Sequence, residues 1–225
     1  MIDWSPLWLS LRLAFFTMAI LLLLGIPLAW WLAYNRARWK VAVEAVISLP
    51  MVLPPSVLGF YLLLAFSPAG GFGKLLDRWL DLRLVFTFQG LVLASVIYSL
   101  PFMINPLLAG FRSLPADLHE ASRTLGKSDW TTLFRVLLPN MRASLITGAV
   151  LSFAHTIGEF GVVMMIGGSI PGKTRVASVA IYDEVQSPHY GQANRYALVL
   201  LALSFTILLL VYLINHRYNK PKSML

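Results

Sequence analysis

Four histidines and no cysteine narrow the chemistry open to this chain. Thiol catalysis, Cys-ligated zinc and iron–sulfur clusters lack their ligand. His119, His155, His189 and His216 stand apart, and none belongs to an H-E-x-x-H or similar metal-binding pattern. No G-x-x-x-x-G-K followed by Ser or Thr occurs, so the chain has no phosphate-binding loop for ATP. Two polar groupings remain in apolar surroundings. Glu159 is a carboxylate inside an apolar run, and His155, four residues earlier, falls on the same face of a helix and can pair with it. The other grouping is the segment 112–142, RSLPADLHEASRTLGKSDWTTLFRVLLPNMR, far more polar than its flanks.

The elements that carry these groups must cross lipid. Hydrophobic residues make up 58% of the 225, charged residues 12%, and the mean hydropathy is +0.72. A soluble domain carries about 25% charge, so such a chain cannot cover a water-facing surface. A helical span needs about 20 mainly apolar residues. Five stretches qualify, at about 8–34, 45–66, 85–111, 143–165 and 196–215. They predict an all-α integral membrane protein, with 1–225 as a single transmembrane domain. The first run exceeds the 7–15 apolar residues of a signal peptide. It ends in Trp30, Trp31 and Tyr34 with Arg36, Arg38 and Lys40 beyond, the pattern of an interfacial belt and a cytoplasmic anchor. With five passes, the pieces 36–40, 112–142 and the tail from 216 share one side. They hold eleven of the 18 Lys and Arg residues, a modest bias toward that side as cytoplasmic and the N-terminus as outside; the segment 112–142 supplies the second reason for this orientation. The net charge of +8 follows largely from this asymmetry. No basic stripe marks a nucleic-acid surface.

Within 112–142 two short helices are expected. Pro115 suits a first helical position, Asp117 complements the dipole, and Gly126 stops the helix after Leu125. Leu114, Leu118, Ala121 and Leu125 fall on one face. Ser128 caps a second helix from Asp129, and Pro139 should end it. By period alone this fits a helix lying on the membrane surface equally well. The spacing is more specific. Glu120-Ala121-Ser122, three residues, Gly126, nine residues, then Val136-Leu137-Leu138-Pro139 resembles the EAA loop of ABC-importer permeases, with Ser122 for the second alanine and Val136 for isoleucine. Further resemblance covers most of the chain. Ser48 to Pro55 followed by Gly59-Phe60-Tyr61-Leu62-Leu63, and Ala121 to Gly126, resemble the molybdate permease family. Gly158-Glu159-Phe160-Gly161 is similar to molybdate and sulfate permeases alike, and Ile170-Pro171-Gly172-Lys173-Thr174-Arg175 resembles the molybdate group more closely.

The resemblance implies a type I importer subunit in a prokaryotic plasma (inner) membrane, not an enzyme. Glu120, Ala121, Ser122, Gly126, Val136, Leu138 and Pro139 would form the loop seated on a separate ATPase subunit. ATP and Mg would be bound there, and this chain would need no cofactor. The implied assembly is a homodimer with two ATPase subunits and an external solute-binding protein, carrying molybdate or tungstate, with sulfate as the alternative. Three matters stay open in the residues. His155 and Glu159 form part of a gate or subunit interface, or Glu159 anchors the outer end of the fourth span through backbone freed by Gly158 and Gly161; a carboxylate would repel an oxyanion, so neither makes it a substrate ligand. Pro50, Pro54 and Pro55 break the second span to open a pathway, or merely to pack a kinked helix; Pro101 and Pro106 pose the same choice in the third. Lys173 and Arg175 dock a binding protein, or are ordinary loop cations. A membrane-embedded enzyme lacks its ligands, and a secondary transporter lacks internal repeats.

Overall fold

The computed structural model describes residues 2–218, and the regular structure among them is helical throughout. The first helix, α1 (Ser5–Tyr34), starts where the Asp3 carboxylate accepts hydrogen bonds from the Ser5 amide (2.9 Å) and hydroxyl (2.8 Å). Those two bonds stabilise the carboxylate and hold the Asp3 pKa below its ordinary value. The chain then forms α2 (Lys40–Ser48), a 3-10 turn (Leu49–Met51), α3 (Pro55–Phe66) and α4 (Gly71–Leu80). A second long helix, α5 (Phe88–Ser113), is capped by Thr87, whose hydroxyl accepts from the Gly90 amide. After it come α6 (Ala116–Thr124), α7 (Asp129–Thr132), a π turn (Leu133–Leu137), α8 (Leu138–Asn140), α9 (Arg142–Gly158), α10 (Gly161–Gly167), α11 (Ala177–Gln186) and α12 (Tyr190–Tyr218).

The centre is α1 packed on α5 and α9. Leu21, Leu32, Met103, Ile104, Leu107 and Phe111 are buried there, with Leu133 and Leu137 from the loop beneath. Lipid gives helices no hydrophobic reason to associate, so close approach through small residues matters more. A Cβ on Gly110 would lie 2.6 Å from the Ser144 side chain, and one on Gly148 would lie 3.1 Å from the Met103 carbonyl. Around Leu91, Val162 and Ile166 a second cluster joins α3, α5 and α10. Ala177, Ala180, Tyr196 and Leu7 form a third, where α11 and α12 meet the start of α1. Two long-range bonds fasten it: the Ala177 amide donates to Ser10 Oγ (2.8 Å) and the Tyr196 hydroxyl to the Asp3 carbonyl (2.9 Å).

Among the described residues three helices, α1, α5 and α12, are long and apolar enough to cross a membrane alone; the total is five if each of two bent pairs counts as one crossing. The structure has one expected break and corrects the fourth span. The stretch 45–66 is broken as its prolines require: Lys40–Met51 and Pro55–Phe66 meet at 110°. Pro54 lies in the extended region and Pro55 opens α3, as expected where consecutive rings exclude the helical ladder. At 12 residues, α3 rises about 18 Å, short of the roughly 30 Å hydrocarbon core. The stretch 143–165 is divided between α9 and α10, because Glu159 (φ −67°, ψ 131°) leaves the helix. Two further helices, α4 and α11, form in the connections between the expected spans. The helix of the fifth expected span, α12, begins at Tyr190 rather than Tyr196.

Candidate functional site

The segment 112–142 folds into a compact hook. Pro115 caps α6 from outside instead of opening it, since its ψ of 133° is not helical. At the other end the Lys127 amide donates to the Ser122 carbonyl (3.2 Å) and the Gly126 amide to the Arg123 carbonyl (2.9 Å). These are the two bonds of a Schellman motif, whose turning residue must be left-handed. Gly126 supplies it at φ +68°, with open space around it. Gly126→Val therefore costs about 1–2 kcal/mol of backbone strain and no packing. Gly126→Asn should recover most of that loss, measurable as thermal stability of the purified protein. Equal melting of wild type and Gly126→Val would refute this account of the turn.

The face of α6 that turns inward is the one that carries Ser122. Ser122 is buried, and its hydroxyl is 2.7 Å from that of Thr132 in α7. Ala121 is exposed and Leu125 is 74% exposed. Ser122 therefore ties the hook together, while Glu120, Ala121 and Leu125 face outward. Among the described residues no hydrogen bond or ion pair engages the Glu120 carboxylate. Ser128 caps α7 through the Thr131 amide (3.2 Å). Pro139 does not end the helix: the path continues to Asn140, breaks at Met141 and turns 84° into α9. The π turn just before Pro139 accounts for this, because its wider ladder accommodates the missing donor and the ring. Val136 and Leu138 are half-buried, whereas Pro139 is exposed.

His155 and Glu159 come near one cleft but do not share a helical face, since α9 stops at Gly158. Each finds a serine on α5. Ser95 Oγ donates to Glu159 Oε2 (2.8 Å), and His155 Nδ1 lies 2.9 Å from Ser99 Oγ. Ser99 also reaches Thr156 Oγ1 (3.0 Å), which donates to the Ser152 carbonyl (2.8 Å). One chain gives each hydroxyl a single acceptor: His155 Nδ1–H to Ser99, Ser99 to Thr156, Thr156 to Ser152. The imidazole stacks on Phe102, with centroids 3.9 Å apart. Glu159 is buried and its Oε1 has no partner among the described residues. The carboxylate anchors the helix break through Ser95, and not through the Gly158 and Gly161 backbone. Its own carbonyl accepts from Ser178 Oγ (2.5 Å), so the break is held from both sides.

Pro55, His155 and Glu159 line a common cleft of about 650 Å³, with Ser56, Tyr98 and Gly161; Pro54 is not among its lining residues. A second cleft, of about 670 Å³, lies further along the same two helices. Phe102, Asn105 and Pro106 of α5 and Thr147 and Leu151 of α9 line it, with Met51 from the broken second segment. Arg175 is not free on the outer loop: it pairs with Asp183 (3.1 Å) and Glu184 (3.5 Å). Lys173 is exposed beside it. Sequence reasoning missed Ser95, Ser99 and Ser178. Ser95 and Ser99 had a usable signal, two hydroxyls four residues apart within an apolar helix; Ser178 had none. No cluster of metal-ligating side chains occurs among the described residues.

Residues 25–222 match the profile of a family described as binding-protein-dependent transport system inner membrane component. The chain is 48% identical over 211 residues to the molybdenum transport system permease protein ModB of Azotobacter vinelandii, covering 93% of each. It is 36% identical to a probable sulfate transport system permease protein, cysT, of Zygnema circumcarinatum, covering 89% of this chain and 68% of that one. Its fold resembles a chain of the MetNI methionine ABC transporter in an inward-facing conformation. The TM-score is 0.71 at 17% identity, over 96% of this chain and 95% of the other.

Proposed function

Because this chain belongs to the family of binding-protein-dependent transport system inner membrane components, and is thus a permease subunit of an ABC importer, we propose that its cargo is an oxyanion, molybdate foremost. The relationship to a molybdenum permease along almost the whole of both chains supports molybdate. A sulfate permease relative supports sulfate as the second choice. Five crossings follow if each bent pair passes the bilayer once, with the N-terminus outside and the C-terminal end of α12 in the cytoplasm. The hook 112–142 then faces the cytoplasm. There Glu120, Ala121 and Leu125 present an anchor for an ATPase subunit that binds ATP and Mg²⁺. Val136, Leu138 and Pro139 carry the motion of the hook into α9.

One observation carries the transport path: the two clefts follow one face of α5 and α9. From Tyr98 and Glu159 at one end, they step to Asn105 and Thr147 toward the other. A single chain leaves that face open, so a second copy across a two-fold axis would close it into a path. The broken segment at Pro54 and Pro55 and the interrupted helix at Glu159 border the opening, as jointed walls of a gate. Of the two loop cations Lys173 and Arg175, Lys173 is the exposed one and would meet a solute-binding protein. In vesicles with the complete transporter, excess tungstate should suppress molybdate uptake at least tenfold more strongly than excess sulfate. Equal suppression by both would favour the broader oxyanion carrier, and stronger suppression by sulfate would reject molybdate.

A further inference from the structure

We propose that the groove between α1 and α5 binds a glycerophospholipid, its phosphate on Arg12 and one acyl chain in the groove. The site lies in the leaflet that holds the N-terminal end of α1, and it is independent of which anion is transported. Arg12 sits two turns into α1, exposed beside exposed Phe15 and Phe16. Among the described residues no carboxylate pairs with it. A cation at that depth is costly unless it meets an anion. Its guanidinium is fixed at the groove mouth, 4.8 Å from the Phe88 ring centroid and 5.7 Å from that of Phe16. Cation–π contact holds the plane there and leaves the N–H edge available to a phosphodiester. Gln89 lines the same cavity and offers a second donor.

Below this head the lining is apolar. Phe16, Ile20 and Leu24 step down α1 at every fourth residue, opposite Val92 and Val96 of α5, around a cavity of about 460 Å³. From Arg12 to Leu24 the helix rises about 18 Å, against about 15 Å of hydrocarbon in one leaflet. The cavity is thus one acyl chain deep with its only polar groups at the headgroup level. A small soluble oxyanion could satisfy Arg12 but would leave the groove empty. A second copy could fill the groove but would bury Arg12 against apolar surface.

The test follows thermal unfolding of the purified detergent-solubilised transporter during titration with phosphatidylglycerol. Dioleoylglycerol serves as chains without phosphate, and sn-glycerol 3-phosphate as phosphate without chains. Phosphatidylglycerol should raise the melting temperature saturably, while neither control does so at equal concentration. Arg12→Gln removes the charge-assisted bonds and should weaken the lipid effect about tenfold. Val92→Trp keeps the cation but fills the groove, and should weaken it comparably. Wild-type lipid dependence in both variants, or an equal shift from sn-glycerol 3-phosphate, overturns the proposal. Since the chain has no cysteine, Ile20→Cys gives a single thiol that reports on the groove in intact membranes. Alkylation slowed by phosphatidylglycerol supports a lipid, whereas an oxidative cross-link between two copies would place a second chain there and reject it.

Discussion

Leu125→Asp is expected to separate the permease from its ATPase subunits, with co-purification falling about 30-fold or more. A leucine 74% exposed at the tip of a polar hook has no packing role inside this chain. Beside the exposed Ala121, one turn earlier, it offers a small apolar seat next to Glu120. Truncating an anchor at the centre of an interface costs about 2 kcal/mol or more; burying an aspartate without a partner costs more still. Two kilocalories correspond to roughly 30-fold in affinity. The substitution should hardly change the stability of the chain itself, since exposed positions of this kind stay within about 0.5 kcal/mol. Ser122→Ala makes the contrast. It removes the bond to Thr132 and should loosen the hook while leaving the outward face chemically intact. Normal recovery of ATPase subunits with Leu125→Asp would mean that α6 is not the docking element.

Glu159→Gln should lower ATP-driven uptake at least tenfold without releasing the ATPase subunits. The amide carbonyl of glutamine can still accept the Ser95 hydroxyl, so the anchor seen at 2.8 Å survives. What changes is the buried oxygen Oε1, which has no partner among the described residues. Were Glu159 only an anchor, glutamine would replace it with little loss and uptake would stay near wild type. Ser95→Ala tests the other half, since it removes the anchor and keeps the carboxylate. That variant should lose thermal stability by about 1 kcal/mol and retain more uptake than Glu159→Gln. The reverse order would make the site structural. Neither variant alters Ser178, whose hydroxyl holds the backbone of the same break.

What could be read from the sequence was whatever local chemistry dictates. Gly126 had to be left-handed after an amphipathic turn, Ser128 had to cap, and paired prolines at 54 and 55 had to interrupt a helix; the structure has all three. Tertiary bonds decided the rest. Gly158 and Gly161 weaken the ladder locally, but the break at Glu159 is held by Ser95 and Ser178, from α5 and α11. Periodicity grouped Leu114, Leu118, Ala121 and Leu125 on one face of α6 without saying which face turns inward. Thr132 decides it, drawing Ser122 inward and leaving Leu125 out. Pro139 was read as a stop because an α-helical ladder was assumed, whereas a π turn carries the chain past it. Arg175 looked like a free loop cation until α11 brought Asp183 and Glu184 to it.

The central claim is that this chain moves an anion only when a separate ATPase moves its hook. It is tested most directly by molybdate uptake into proteoliposomes holding this chain, its ATPase subunits and its solute-binding protein. Uptake should require ATP on the ATPase side and should collapse with Leu125→Asp even when ATP is present. Uptake that persists without ATP, or in liposomes holding this chain alone, would contradict the account.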